Sequence, residues 1–188
     1  MTAADDDNLP ERQFAWSNMF VTHEDDPRTD SGPADERETL VEYLRNYRLT
    51  LEMKCVDLDA EAMAKRSVPP STMSLLGIVR HLAGVEQSWF RINMAGLDVT
   101  RLYRSGEDRD EDFNGAVADS DVVAEAWSTW RDEVAFAEQY VADAPDMGLI
   151  GEGGNSLRDI LVHMIEEYAR HMGHADFLRE RIDGRVGQ

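Results

Sequence analysis

An all-α protein, a four-helix bundle behind an irregular N-terminal extension, is what this sequence predicts. Three observations carry the prediction. Four segments repeat apolar residues at spacings of three and four, the period of a helix with one buried face. No stretch of note alternates polar and apolar residues as a half-buried strand would. Pro, Gly and capping residues punctuate the chain where those segments begin and end. A length of 188 residues suits one domain with its own core and no disulfide staples.

Residues 1–33 form an acidic extension rich in Asp, Pro, Thr and Ser, and residues 34–185 form the bundle. Inside the extension, FAWSNMFV (14–21) is an apolar island. It is expected to strap aromatics onto the bundle surface, and it is the candidate contact for a homodimer. The first helix is expected from Pro33 to Leu58, with Leu40, Tyr43, Leu44, Tyr47, Leu51 and Cys55 as its stripe. Two prolines in SVPPSTMS break it, and Ser71 or Thr72 is placed to cap the next helix. That second helix is expected over Met73–Met94, with Leu75, Ile78, Leu82, Val85, Trp89 and Ile92 inward and Gly96 as its stop. Residues 97–118 are polar and aperiodic, so a long connection follows; connections of that length are often functional, and this one could cover a site. A third helix spans Asp119–Asp143, burying Val122, Ala126, Trp130, Val134 and Ala137. ADAPDMGLIGEGGN ends it, and Ser156 caps a fourth helix over Leu157–Asp183, stopped before Gly184.

Composition narrows the function classes. Asp and Glu number 38 against 19 Lys and Arg, a net charge of −19. A surface this acidic repels nucleic-acid phosphate and anionic lipid, so neither nucleic acid nor membrane is expected as a partner. No apolar run approaches the roughly 20 residues of a membrane span. The N-terminus is acidic where a secretion signal is basic, so a soluble cytoplasmic protein is expected. The single cysteine, Cys55, cannot pair internally, and its place on the first stripe reads as a small core residue.

Chemistry concentrates in the histidines. Three of the five, His163, His171 and His174, fall in one stretch of the fourth helix, HMIEEYARHMGH. With about 100° per residue, the apolar stripe centres at about +50° from Ile160. On that wheel His171 sits at about +20°, Glu167 at about −20°, His174 at about −40° and His163 at about −60°. Glu167 and His171, four apart, therefore stack on the inward edge of one face. A carboxylate beside a core stripe is costly to bury unless it is paired or holds a metal. On the second helix His81 is the only histidine, at the edge of its stripe, able to supply a third ligand to the same interior. His163 and His174 lie on the flank, better placed to support the ligands than to be first ligands themselves. Each histidine also has a plainer reading as a hydrogen-bonded core residue, and Arg170 as half of a surface ion pair. The residues alone leave both readings open.

VPPSTMSLLGIVRHLAGVEQSWF (68–90) and LRDILVHMIEEYARHMGHADFLRERIDG (157–184) resemble the DinB-like superfamily. This group of metal-binding four-helix bundles includes thiol-dependent S-transferases and mycothiol-dependent maleylpyruvate isomerase. The chain is most similar to an actinobacterial branch, and the resemblance covers about residues 36–185. The superfamily's first ligand is a His on the second helix with an acidic residue downstream, which falls here on His81 and Glu86. Its last-helix motif, His-x-x-x-His with Gly two residues on, reads here Glu167-Tyr-Ala-Arg-His171-Met-Gly173-His174. Glu replaces the first His, as in the isomerase branch. The resemblance implies one divalent metal on His81, Glu167 and His171, with zinc expected and nickel, iron or manganese as alternatives. It implies a transferase that activates a small mycothiol-like thiol for attack on an electrophilic small molecule, with His163 and His174 able to orient ligands or shuttle protons and Arg170 on the rim able to meet an anionic thiol or substrate. Two alternatives stand beside it: a hydrolase that activates water with the same metal, and a non-enzymatic bundle binding metal or a small ligand.

Overall fold

Local capping chemistry decides where these helices begin. In the computed structural model, which describes residues 9–13, 20–28, 32 and 35–187, helix α1 spans Glu36–Cys55. Asp35 caps it in a reciprocal box with Glu38: the Asp35 side chain accepts from Glu38 N, and the Glu38 side chain accepts from Asp35 N. The helix thus starts three residues after Pro33 and ends at Cys55, short of the expected Leu58. A one-turn helix, α2, follows over Ala60–Ala64. Helix α3 spans Leu75–Glu86, and its cap is Ser74, whose side chain accepts from Gly77 N, in place of the expected Ser71 or Thr72. Helix α4 is a single turn, Glu111–Asn114, inside the connection read as loop; α5 spans Ser120–Asp143 and α6 spans Leu157–Asp183. Ser156 caps α6, and Gly184 ends it with φ 79°, the left-handed turn that a glycine adopts without strain. Gly96 likewise has φ 65° just beyond the second long helix. Among the described residues the fold is all-α, with two isolated bridges and no strand.

α1 packs on α6, and α3 packs on both α5 and α6. Leu44, Leu51, Leu75, Ile78, Leu82, Ala126, Trp130, Ala137, Ile160, Leu161 and Met164 share one buried core. The expected stripes hold with two corrections. Tyr43 is 55% exposed, leaving the first stripe to Leu40, Leu44, Tyr47, Leu51 and Cys55. The second long helix changes type after Glu86: residues Gln87–Met94 form a π-helical continuation, π1, with wider i→i+5 turns. A wider turn breaks the 100° phase. Phe90 and Met94 therefore enter the core, while Trp89 and Ile92, expected inward, are only partly buried.

One residue from each long helix meets in a buried polar network. Arg48 of α1 grips Glu86 of α3 with two hydrogen bonds, Nε to Oε1 at 2.9 Å and Nη2 to Oε2 at 2.8 Å. Tyr168 of α6 donates to Glu86 Oε1 at 2.8 Å and accepts from Trp130 Nε1 of α5 at 2.9 Å. Burial pushes the Glu86 carboxyl up, and the Arg48 guanidinium pulls against that. Burial, with Glu86 alongside, holds the Tyr168 phenol well above its usual value, so it remains a donor.

The extension docks at the far end of α1 and α6. Gln13 N donates to Gly184 O at 3.1 Å. Phe20 is buried under three cations, with Lys54 Nζ 4.7 Å, Arg179 Cζ 5.1 Å and Arg185 Cζ 4.5 Å from its ring centre. Of the apolar island, residues 14–19, and with them the candidate dimer contact, lie outside the described residues. No described helix is long and apolar enough to cross a membrane.

Candidate metal centre

His81 leaves α3 toward α6, where Glu167 and His171 occupy consecutive turns. One ligand atom from each of these three residues lies within 4.8 Å of the other two, an arrangement that could hold a metal ion. His171 Nε2 and Glu167 Oε2 are 3.7 Å apart. That is close to the roughly 3.4 Å edge of a tetrahedron with bonds of 2.0–2.1 Å. The His81 and His171 rings stand 4.6 Å apart, tilted by 46°.

Electrostatics suit ligation as well. Burial first, then His81, His174 and Arg170, hold the His171 imidazole down at about 3, so at neutral pH it is uncharged and keeps a lone pair. Its approach to Glu167 is therefore no ion pair. His171 Nδ1 and His174 Nδ1 are buried with no hydrogen-bond partner among the described residues. Such nitrogens are rare in folded proteins, and a water, an ion or a ligand beside each is the usual explanation; the His171 nitrogen that faces Glu167, however, is Nε2. The donor set of two imidazoles and a carboxylate suits zinc, and nickel, iron or manganese with less preference.

His81 is held from outside by the long connection. Its Nδ1 donates to Asp112 Oδ2 at 2.8 Å, which leaves Nε2 as the lone-pair nitrogen. Asp112 is itself fixed, because its Oδ1 accepts from Phe113 N at 2.9 Å. Phe113 stacks on His81 with ring centres 5.5 Å apart. It can do so because Gly77 has no side chain: a Cβ there would lie 2.6 Å from Phe113 Cδ1. Arg80, next to His81 on α3, donates from Nε to Asp112 O and from Nη2 to Glu111 O, at 3.0 and 3.1 Å. Sequence reasoning missed Asp112. It sits 31 residues from His81 in an aperiodic segment, and its only signal was that the connection is unusually long.

The flanking residues take up different positions. His163 Nε2 lies 3.5 Å from Glu167 Oε1, and its ring meets Trp89 edge-on at 4.6 Å. The His174 ring lies 5.3 Å from that of His171. Arg170 is exposed and pairs with Glu166 at 3.4 Å, the plainer of its two readings. Glu86 stays out of the triad and belongs to the buried network. Trp89 and His81 both line a cavity of about 380 Å³ between α3, π1 and the connection. Cys55 is buried, and desolvation pushes its thiol up to about 12, so it is a core residue without nucleophilic character.

An all-α bundle with a His–Glu–His cluster between two of its helices defines a class of helical proteins with an internal site that could hold a metal. Residues 39–184 match the family described as Mycothiol-S-transferase, and the chain belongs to that family. No curated protein matches the chain. Among solved structures, a conserved protein from Enterococcus faecalis is similar at a TM-score of 0.56 and 14% identity, over 80% of this chain and 98% of that one. At that identity the likeness concerns the fold alone.

Proposed function

We propose that the protein is a metal-dependent transferase that activates mycothiol, or a closely similar small thiol, for attack on an electrophilic small molecule. His81, Glu167 and His171 hold one divalent cation, with zinc the expected ion. The observation that carries this reading is the convergence of those three side chains from α3 and α6 beside a cavity of about 380 Å³. Membership of the family supplies the thiol.

A cation held there would lower the pKa of a bound thiol, so that the thiolate is present at neutral pH. The chain's own residues do the rest. Asp112 fixes the His81 tautomer, and His163 lies against Glu167. His163 and His174 are placed to accept the proton that the thiol sheds. Trp89 and Phe113 form apolar walls of the cavity against which the body of the electrophile can pack. The thiol sulfur then forms the new S–C bond as the electrophile's leaving group departs or its π-bond takes up the electron pair.

Two measurements test this. Elemental analysis of untagged protein should find about one metal per chain, lost in His81→Ala and His171→Ala while helical circular dichroism is retained. Metal-loaded protein should accelerate conjugation of mycothiol to 1-chloro-2,4-dinitrobenzene. Protein that can be neither isolated with metal nor loaded refutes the ligand assignment. Metal-dependent turnover that ignores the thiol refutes the transferase and points to hydrolysis.

A further inference from the structure

Charge is distributed unevenly around the cavity that adjoins His81. The chain carries twice as many acidic as basic side chains. The cavity reverses that balance, with four guanidinium groups on its lining against two carboxylates, Asp110 and Asp112. Asp112 is already committed to His81. Three of the guanidinium groups, Arg101, Arg104 and Arg109, are exposed and make no hydrogen bond or ion pair with any described residue. The fourth, Arg80, is 7% exposed, and its closest carboxylate oxygen, on Glu125, is 3.8 Å away. Its guanidinium lies over the Tyr103 ring at 4.0 Å, so this cation forms part of the packed wall.

Uncommitted cations gathered on one concave surface of a strongly acidic protein focus potential there and attract an anion. Beside His81 and Ser88, the rest of the lining carries three aromatic rings, Trp89, Tyr103 and Phe113, with Val85 and Leu102. A fully polar anion would leave those rings unused, and a neutral apolar molecule would leave the arginines unused. Both are satisfied by a molecule with a flat apolar body and one carboxylate, since guanidinium groups match carboxylates in geometry as well as charge.

We propose that this cavity is a subsite for a planar carboxylate, and that Arg101, Arg104 and Arg109 select an acidic electrophile over its neutral counterpart. That the bound carboxylate is the electrophile rests on the transferase reading; the anion preference does not, and the test separates them. The probes are benzoate and its neutral counterpart benzamide. Binding is followed by calorimetry and tryptophan fluorescence on metal-free protein, so that coordination to a metal cannot supply the preference. Benzoate should bind at least about tenfold more tightly than benzamide, the worth of one charged hydrogen bond. The preference should shrink as salt rises, because these side chains are exposed. The triple variant Arg101→Glu, Arg104→Glu, Arg109→Glu alters exposed positions only; it should keep its helical content and lose the preference. Equal binding of the two probes, a preference that survives charge reversal, or no binding of either would overturn the proposal. Conjugation of mycothiol to neutral 1-chloro-2,4-dinitrobenzene tests the transferase separately, so failure of one reading is not failure of the other.

Discussion

Replacing Asp112 tests the centre without touching a ligand. The Asp112 carboxylate accepts from His81 Nδ1 at 2.8 Å, a short bond to a charged acceptor. It orients the ring and disfavours the tautomer that would put the proton on Nε2. Loss of such a partner typically costs 10–100-fold in metal affinity, about 1.4–2.7 kcal/mol. The two ends of that range correspond to two variants. Asp112→Asn keeps the size and an oxygen acceptor but loses the charge, so about tenfold is expected. Asp112→Ala leaves no acceptor, and the half-buried ring is then steadied only by stacking on Phe113, so the loss should approach 100-fold. The assay is competition for zinc against a chromophoric chelator on untagged protein, with thermal unfolding as the control for folding. If Asp112→Ala binds zinc within about twofold of the parent while His171→Ala loses it, the contact does not orient a ligand and the reasoning fails.

Three further outcomes follow from the same structure. Glu86→Gln removes the charge that offsets a buried Arg48 and should cost about 3–5 kcal/mol in urea unfolding, whereas Tyr168→Phe, which strands Glu86 Oε1 and Trp130 Nε1 of one partner each, should cost about 1–3 kcal/mol; two near-neutral variants would refute the network's place in stability. Cys55, held at about 12, should resist iodoacetamide at pH 8 in the native state and react once urea unfolds the chain, and rapid native labelling would contradict its burial. His171 is held at about 3 against an ordinary 6.5, so below about 6.5 the unfolded chain binds the extra proton and metal-free protein loses stability as pH falls toward 3. His171→Ala should flatten that part of the profile, read from unfolding midpoints across the window, and an unchanged slope would refute the assignment.

Periodicity made most of this fold legible, because a helix that buries one face must repeat its apolar residues at three and four. The same wheel ranked His171 innermost and Glu167 next on α6, and those two approach His81 in the structure. Three features were illegible for distinct physical reasons. Asp112 reaches His81 from a segment without a period, where a side chain's partner depends on the loop's path. The π-helical turn beginning at Gln87 displaces Trp89 from the core to the cavity wall, and nothing in the apolar spacing marks where α-helical phase ends. The pairing of Arg48 with Glu86 was the third: each follows a core leucine by four residues, Leu44 and Leu82, and although the resemblance marks Glu86, a charge at such a position reads as a break in the stripe unless its partner is known.

The buried network and the candidate metal centre are two layers of the same helix pair. His81 and Glu86 lie five residues apart on α3, while Tyr168 adjoins Glu167 and precedes His171 by three residues on α6. Turning α6 by one residue, about 100°, would carry Tyr168 away from Glu86 and Trp130 and would take Glu167 and His171 away from His81 in the same movement. An apolar core discriminates poorly between such rotations, because leucine and methionine repack. A hydrogen-bonded arginine, glutamate, tyrosine and tryptophan do not, since each misplaced partner leaves a buried polar group unpaired. The network therefore fixes the rotation that brings Glu167 and His171 up to His81, although none of its members joins the triad. Buried ion pairs often add little stability over apolar packing. What the pair contributes in this bundle is therefore a single rotational setting of α6, the element that supplies two of the three candidate ligands, rather than added stability.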